Sequence, residues 1–355
     1  MKSKWIAVLV AVVFLGAIGF YAYERWGGKS GGDRDSLLDL MPSDATAIIY
    51  IDANDLRAAP FFSALYAWAP KPQVDADYTQ FVSATGFDYE RDLDRLAISV
   101  RKRGPESVLF AVADGRFDRK KIAAYAAKSG TVTRQNGRDI FSVPLADRTR
   151  RVSFAFLNEA RLAITEDASA AELMNLPVKN ANSKEWRVRF ERLAGSPVFA
   201  VVRQDAETGA ALAAQAPGGL RSPQLSTLLD SLQWITIAAK PQQDGLRVVA
   251  EGECVSENNV KQLTDMLNGI VQLAQVGLND PKTRQQVPPT TREAYLELLH
   301  STDVSKVDRG TSQSVRVMFD LTPKFLEAAR TPAAVPLPDA QQTKPAAPKA
   351  LPSRK

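Results

Sequence analysis

The chain has 355 residues, of which 45% are hydrophobic and 24% are charged, so it is long enough to bury a sizeable core in about two globular domains. Its formal net charge is +5, but acidic and basic residues alternate along most of the sequence, which argues against the concentrated basic face of a nucleic-acid-binding protein. With one cysteine, Cys254, and one histidine, His300, the chain can form neither an intramolecular disulfide nor a zinc site of the usual composition.

An uncharged stretch near the N-terminus, residues 5–23 (WIAVLVAVVFLGAIGFYAY), is long enough to cross a bilayer as a helix. Lys2 and Lys4 precede it and the charges after it nearly cancel, so the positive-inside rule predicts that residues 1–4 are cytoplasmic. A cleaved signal peptide is the alternative, although its best cleavage site, residues 17–19, lies inside the apolar run. We predict an uncleaved signal anchor that makes the protein a single-pass component of the cytoplasmic membrane, with the bulk of the chain in the periplasm.

The segment after the anchor is rich in glycine and contains the run GGKSGG. This composition predicts a flexible spacer, which we place at residues 24–40. A phosphate-binding loop is a poor interpretation, because the run lacks the G-x-x-x-x-G-K-[ST] spacing and does not follow a buried strand.

Residues 41–180 are predicted to form a first α+β domain. It begins with the apolar strand AIIYID, from Ala47 to Asp52, and Asn54 or Asp55 is a candidate cap for the helix that follows. The other predicted elements are a strand hairpin (93–100 and 108–113), a helix capped by Asp118 and ended by Gly130, three short strands (around 140–143, 152–157 and 161–165) and a helix at 168–173.

A helix at residues 181–195 is predicted to connect this domain to a second α+β domain at residues 196–330, in which the pattern of elements restarts. VFAVV parallels AIIYI, LQWITIA matches LDRLAIS, and GLRVVAEG parallels VLFAVADG. A helix with a clear apolar stripe follows from Ser256 to Val276, and later come a helix with a capping box at Thr290 and Glu293, a strand at 315–320 and a helix starting at Thr322-Pro323.

These matches predict a duplicated domain and an α+β fold with two similar mixed or antiparallel sheet-and-helix halves behind the membrane helix. The alternative is one continuous sheet made by both halves packed edge to edge. Residues 331–355 are rich in Pro, Ala and Lys and lack large aromatic residues, so they are predicted to form a disordered tail. The tail is basic and suits either a passive solvated segment or weak attraction to anionic lipid or wall polymer.

A catalytic set is not evident in the sequence, and we assign no catalytic, cofactor-binding or metal-binding residues. Two carboxylate pairs, Asp75 with Asp77 and Asp92 with Asp94, are the nearest approach to a hard-cation site, but they lie in stretches expected to be exposed and lack the pattern of a calcium loop. Cys254 is expected to be a packed, inert thiol, and His300 to lie at a helix C-terminus.

Two groups of charges, Asp147 with Arg148, Arg150 and Arg151, and Arg187 with Arg189 and Arg192, have the chemistry to recognise a phosphate or carboxylate. A solvated surface with local ion pairs is the simpler interpretation of both groups.

The anchor, the polar spacer and the run LMPSDATAIIYID, followed later by GFDYERDLDRLAIS, resemble bacterial membrane-anchored envelope proteins of unknown-function families. In these proteins a proline-Asp-Ala turn leads into a first strand that ends in Asp. The likeness covers residues 40–99 and, more loosely, residues 196–239. Its motifs are structural turns, so the resemblance implies a bacterial envelope location and no reaction.

The function that we expect is that of a non-enzymatic, membrane-tethered extracytoplasmic domain that binds or scaffolds envelope components. Its partners are then the lipid bilayer, through residues 5–23, and an unknown envelope protein or wall polymer, without nucleic acid or cofactor. The alternative is a carboxylate-dependent hydrolase or ligand-binding protein that acts on cell-wall material in a cleft between the two halves, with acidic residues such as Asp52 or Glu166.

Overall fold

The computed structural model describes residues 34–62, 76–103, 106–144, 150–167, 169–176, 184–204, 223–242, 245–310 and 312–330. The predicted anchor at residues 5–23 and the predicted tail at residues 331–355 lie outside these ranges. Within the described ranges, none of the helices combines the length and apolar character needed to cross a bilayer.

The strands of the described chain form one large antiparallel sheet. They are β1 (Ala47–Asp52), β2 (Leu93–Arg103), β3 (Glu106–Gly115), β4 (Thr131–Gln135), β5 (Arg138–Pro144), β6 (Arg151–Phe156), β7 (Arg161–Thr165), β8 (Val198–Arg203), β9 (Leu232–Pro241), β10 (Leu246–Cys254), β11 (Asp303–Asp308) and β12 (Gln313–Leu321). Their order across the sheet is β11-β12-β10-β9-β8-β1-β2-β3-β7-β6-β5-β4. The sheet and its helices confirm the α+β class.

Strands β1 and β8 lie side by side at the centre of this sheet. They run antiparallel, with Ile49 opposite Ala200 and Ile51 opposite Val198. The sheet is therefore continuous between the ranges 41–180 and 196–330, as in the edge-to-edge alternative, and the division of the chain into two domains stays a prediction.

Helices lie on both faces of the sheet. They are α1 (Arg34–Leu38), α2 (Ala53–Ala58), α3 (Ala76–Thr85), α4 (Tyr89–Asp92), α5 (Arg119–Ser129), α6 (Ala171–Met174), α7 (Lys184–Arg192), α8 (Pro223–Asp230), α9 (Glu257–Asn279), α10 (Pro281–Gln286), α11 (Pro289–Ser301) and α12 (Pro323–Arg330). The predicted cap Asp118 is confirmed, because it accepts a hydrogen bond from the Lys121 N–H. Ser256 caps α9 in the same way by accepting the Asn259 N–H.

The tryptophan face of the sheet carries Tyr50, Phe199 and Trp234 and is covered by α1 and α7. Trp186 of α7 is fully buried there and meets Trp234 edge to face, with ring centroids 4.9 Å apart. The opposite face is covered by α2 and α12 at the centre of the sheet, and by α8 and α9 over β10 and β12. The central strands thus have an apolar core on each face.

The predicted spacer is wrong for its last part. Residues 34–38 form helix α1, whose Leu37 and Leu38 are 0% and 1% exposed in the core of the tryptophan face. These two leucines bury enough apolar surface to fix the segment against the sheet, whereas the glycine-rich residues 24–33 lie outside the described ranges.

Two predicted helix caps are also wrong. The cap of α2 is Asp52 and not Asn54 or Asp55, because β1 leads directly into the helix and Asp52 Oδ1 accepts the Asp55 N–H at 3.1 Å. Helix α11 begins at Pro289, since proline suits the first helical position, and this places Thr290 inside the first turn where it cannot form the capping box with Glu293.

Strand β4 is absent from the sequence prediction, although an Asn-Gly pair joins it to β5. Asn136 and Gly137 have φ values of 49° and 77°, as in a two-residue hairpin turn that requires left-handed backbone at both positions. All five residues of β4 are exposed, so the strand lacks the apolar alternation that identifies half-buried strands.

Candidate functional site

A charged row crosses the first half of the sheet on the tryptophan face. Its members occupy one register across β1, β2, β3 and β7: Asp52 opposite Arg95, Arg95 opposite Asp114, and Asp114 opposite Arg161. Arg95 Nε donates to Asp52 Oδ2 at 3.0 Å. Arg161 holds both oxygens of Asp114, at 2.6 and 2.8 Å. The row alternates in sign and balances its own charge.

Asp52 has three hydrogen-bond partners within this row and beside it. It caps α2, pairs with Arg95, and accepts the Tyr50 hydroxyl at 3.2 Å through Oδ2. Burial and the neighbouring Asp52 charge raise the pKa of Tyr50, so the phenol stays protonated and remains a donor. Asp52 is therefore a structural acceptor at the junction of β1 and α2.

A second group of charges lies on the same face, over β10 and β12. The Glu251 cluster comprises two glutamates of β10, two arginines of α7 and two arginines from the β11–β12 region: Glu251, Glu253, Arg189, Arg192, Arg309 and Arg316. Both carboxylates are buried, with side chains 8% and 4% exposed. The elements that supply the arginines approach from two sides, so the cluster joins α7 to the sheet.

Arg309 binds Glu251 with two hydrogen bonds, Nε to Oε1 at 3.0 Å and Nη2 to Oε2 at 2.8 Å. Arg316 adds a third to Oε2 at 3.2 Å. Glu253 accepts from Arg192 Nη1 at 2.7 Å and also from Arg189 Nη2. Both glutamates are thus ion-paired with two arginines each at hydrogen-bonding distance.

The electrostatics of the cluster favour the ionised form of Glu251. Burial alone would raise the pKa of Glu251, but the hydrogen bonds and charges of Arg309 and Arg316 outweigh it and hold this pKa below its ordinary value. Burial lowers the pKa of Arg189, and the hydrogen bond and charge of Glu253 oppose this effect only in part. The Arg189 guanidinium also lies 3.8 Å from the centroid of Trp234, as a cation–π contact.

Several buried polar atoms in the cluster and beside it have no hydrogen-bond partner among the described residues. They are Nε of Arg189, Nε of Arg316 and the hydroxyl of Ser314, which is 0% exposed and lies opposite Glu253 across β10 and β12. Four arginines on two glutamates also leave a formal charge of +2. The cluster therefore has more cationic donors than its own carboxylates use.

The two carboxylates proposed for a hydrolase do not come together. Asp52 lies in the row that ends at Arg161, whereas Glu166 lies five residues beyond Arg161 along β7. At a rise of about 3.3 Å per residue, with three strand spacings between β1 and β7, the two are about 20 Å apart. Glu166 is half-buried after the end of β7. The first strands of the ranges 41–180 and 196–330, β1 and β8, are hydrogen-bonded neighbours.

The expectation that Asp92 and Asp94 are exposed is wrong. They are 7% and 2% exposed, and each is ion-paired, Asp92 with Arg91 at 2.6 Å and Asp94 with Arg57 at 3.1 Å. Asp75 and the side chain of Asp77 lie outside the described part of the chain. No group of His, Cys, Asp or Glu within the described ranges has the arrangement of a metal site.

Cys254 is buried, as predicted, at the end of β10, and burial raises the pKa of its thiol to about 11. His300 is exposed in the last turn of α11, which agrees with its predicted position at a helix C-terminus. The protonated thiol of Cys254 is a weak nucleophile, which agrees with an inert role.

The two predicted arginine groups have different outcomes. Arg187 is exposed and pairs with Asp39 at 3.2 Å, but Arg189 and Arg192 are buried or half-buried in the Glu251 cluster and do not form a solvated surface. Arg151 is exposed and donates to the Ser142 carbonyl at 2.8 Å. Asp147 and Arg148 lie outside the described residues, and Arg150 is exposed.

Four residues of the cluster are not predicted as site residues from the sequence: Glu251, Glu253, Arg309 and Arg316. A signal was present in the aligned segments VLFAVADG and GLRVVAEG, where an acidic residue precedes glycine inside an otherwise apolar strand. In the structure, those residues are Asp114 and Glu251, and each faces an arginine on the neighbouring strand, Arg161 and Arg316.

No family model and no curated protein matches this chain. Solved structures of one protein, TP0453, are similar at low identity. Crystal form III is 10% identical with a TM-score of 0.46 over 85% of this chain and 98% of that chain. Crystal form I is 9% identical with a TM-score of 0.44 over the same shares, and crystal form IV is 9% identical with a TM-score of 0.46 over 83% and 95%. This distant likeness carries no argument about function, and the resemblance to envelope proteins stays a prediction.

Proposed function

We propose that this chain is a non-enzymatic, membrane-tethered extracytoplasmic protein that binds or scaffolds components of the bacterial envelope. The observation that supports it most directly is the environment of the buried carboxylates. Glu251 is held by Arg309 and Arg316 with its pKa below the ordinary value, and Asp114 is held by Arg161 at both oxygens. With its pKa held low, Glu251 is a poor proton donor near neutral pH, and Asp114 is occupied at both oxygens by Arg161.

The proposal places the protein in the cytoplasmic membrane through residues 5–23, with the sheet on the outer side. The supporting observation is the length and the lack of charge of that segment, with Lys2 and Lys4 before it. A sheet that extends through twelve strands is a broad platform, which suits a protein whose role is to hold other components.

We propose further that the folded part consists of two similar halves that arose by duplication. The order β10-β9-β8-β1-β2-β3 supports this, because the matched segments occupy equivalent places on either side of the β1–β8 contact. The acidic residue of the third matched strand also faces an arginine in each half, as Asp114 faces Arg161 and Glu251 faces Arg316.

The binding role is tested by affinity isolation of the tagged full-length chain from crosslinked membranes of the native bacterium. The control is a chain in which residues 1–23 are replaced by a cleavable signal peptide, so that the fold is released into the periplasm. We expect reproducible enrichment of the same envelope protein or wall polymer with the anchored chain, and weaker enrichment with the released chain.

A second measurement addresses catalysis directly. If the purified full-length chain turned over a defined wall or lipid substrate, and substitution of one carboxylate abolished turnover without unfolding the protein, the non-enzymatic proposal would be wrong. Tryptophan fluorescence reports the fold, since Trp186 and Trp234 are buried against each other.

A further inference from the structure

We propose that the Glu251 cluster is an oxyanion-binding site that takes a phosphate group, held by Arg316, Arg309 and Arg192. This inference deepens the proposed function, since it names the chemistry of the component that is bound, and it rests on that function in treating the site as a binding site. The phosphate is either a free phosphate monoanion or dianion, or the phosphodiester of a lipid headgroup.

The Glu251 cluster carries a surplus of positive charge. The cluster has four arginines and two buried glutamates, which leaves a formal charge of +2 on one face of the sheet. Uncompensated charge in a partly buried place is unfavourable, and an anion supplied from solution compensates it. Phosphate brings a charge of one to two at neutral pH, which matches the surplus.

The arginine side chains of the cluster are accessible to solvent. The side chains of Arg192, Arg309 and Arg316 are 17%, 29% and 36% exposed, whereas their glutamate partners are almost completely buried. The carboxylates therefore lie beneath the guanidinium groups and position them, and solvent reaches the cationic side. An anion can approach this side without displacing a glutamate.

Arg316 has hydrogen-bond donors that its glutamate partner does not use. Arg316 makes one hydrogen bond to Glu251 through Nη2, and its guanidinium group makes no other hydrogen bond to the described residues. A guanidinium group presents its donors as a planar fork that matches two oxygens of a phosphate.

The first half of the sheet provides an internal comparison. The charged row contains two aspartates and two arginines, so its formal charge is zero. Arg161 uses Nε and Nη2 on Asp114 and also donates to the hydroxyl of Ser36 at 3.1 Å. The equivalent position therefore lacks both the surplus charge and the unused guanidinium donors, which makes Arg161 a matched control for Arg316.

The test is isothermal titration calorimetry of the full-length chain in a neutral detergent with two probes, inorganic phosphate and glycerophosphoglycerol, at constant ionic strength. We expect saturable binding of at least one probe. Arg316→Gln is expected to weaken it about tenfold or more, as for loss of a charge-assisted hydrogen bond, and Arg161→Gln to change it less than about twofold. Arg316→Lys keeps the charge but loses the fork, and is expected to give an intermediate affinity.

The two probes separate the sources. Binding of the phosphodiester assigns a lipid headgroup, and binding of inorganic phosphate alone assigns free phosphate. Far-ultraviolet circular dichroism and tryptophan fluorescence verify that each variant is folded, and Arg309→Gln provides a second variant if Arg316→Gln does not fold. Absence of binding to both probes, or equal affinity of folded wild type, Arg316→Gln and Arg309→Gln, overturns the inference.

Failure here is distinguishable from failure of the proposed function. A chain that enriches an envelope partner but binds neither probe retains the scaffold role and loses the oxyanion site. Substrate turnover by a chain that binds phosphate would remove the non-enzymatic role and leave the site in place.

Discussion

Arg57 and Asp94 form an ion pair with 3.1 Å between Nη2 and Oδ1, and their side chains are only 3% and 2% exposed. Arg57 belongs to α2, and it also donates to the carbonyl of Leu93, at the start of β2, at 2.6 Å. Burial lowers the pKa of the Arg57 guanidinium, and the charge of Asp94 opposes this effect. The pair joins α2 to the second strand in a place that water does not reach.

Asp94→Ala is expected to lower the free energy of unfolding by about 3–5 kcal/mol, because it leaves a buried guanidinium without its counter-ion. Urea unfolding followed by tryptophan fluorescence measures this loss. The double variant Arg57→Met with Asp94→Leu is expected to lose less than Asp94→Ala alone, since it removes both charges. A smaller loss for Asp94→Ala than for the double variant would contradict this account of the pair.

Glu251 should make the stability of the fold depend on acid pH. Because its folded-state pKa is lowered, its contribution is present above the unfolded-state pKa of about 4.3 and is lost as pH falls through the lower folded-state value. Glu251→Gln is expected to cost about 2 kcal/mol at pH 7, less than for a fully buried pair because the arginines are partly exposed, and the difference from wild type should shrink below about pH 4.

The control for this measurement is Glu297→Gln. Glu297 forms an exposed pair with Lys324 at 3.7 Å, so its loss is expected to change stability by less than about 0.5 kcal/mol at any pH. A Glu251→Gln penalty that stayed constant from pH 7 to pH 3 would show that the carboxylate charge is not its origin.

Ser256 caps the longest described helix, α9, by accepting the Asn259 N–H at 3.2 Å. Ser256→Ala is expected to lower the free energy of unfolding by about 1 kcal/mol, because an N–H of the first turn loses its acceptor, whereas Ser256→Asp should retain most of the stability. Urea unfolding of the three chains measures the order. Equal stability of wild type and Ser256→Ala would mean that this end of α9 frays before the protein unfolds.

Two glycine-to-alanine variants should change stability in opposite directions. A Cβ at Gly115 would lie 2.5 Å from the carbonyl oxygen of Asp92, so Gly115→Ala is expected to cost about 1–3 kcal/mol. A Cβ at Gly269, inside α9, would have no atom within 4 Å apart from the adjacent backbone of its own helix, and Gly269→Ala is expected to add up to about 1 kcal/mol. Melting temperatures of the two variants test both directions, and destabilisation by Gly269→Ala would contradict the open space at that position.

The parts of the fold that follow from neighbouring residues could be predicted from the sequence. The helix from Ser256 onward combines a cap with an apolar stripe, and the hairpin of β2 and β3 combines two apolar runs with a turn, so both are recognisable locally. The pairing of β1 with β8 could not be predicted, because any apolar strand can serve as a neighbour for another until the whole sheet is assembled.

Arg189 and Arg192 of the candidate site were recognisable from the sequence as anion-binding candidates, but their partners could not be predicted, for a similar reason. Glu251 meets Arg309 and Arg316, which are 58 and 65 residues away in the chain, and Glu253 meets Arg189 from 64 residues before it. Such contacts depend on strand register and on where α7 lies over the sheet, and neither is encoded in local periodicity. The acidic residue before glycine marks a position but does not identify its partner.

The central position of β1 has a consequence for how the protein is made. The ribosome synthesises β1, β2 and β3 long before residues 198–203, which form β8. Until β8 pairs with it, β1 is therefore an edge strand with unpaired N–H and C=O groups, although it is a central strand of the finished sheet. During that interval the exposed edge of β1 in the nascent chain can pair with any other extended segment nearby. The fold is completed only if β8 pairs with this edge of β1 before another molecule does. The pairing of β8 with β1 is therefore the folding step most exposed to misassembly.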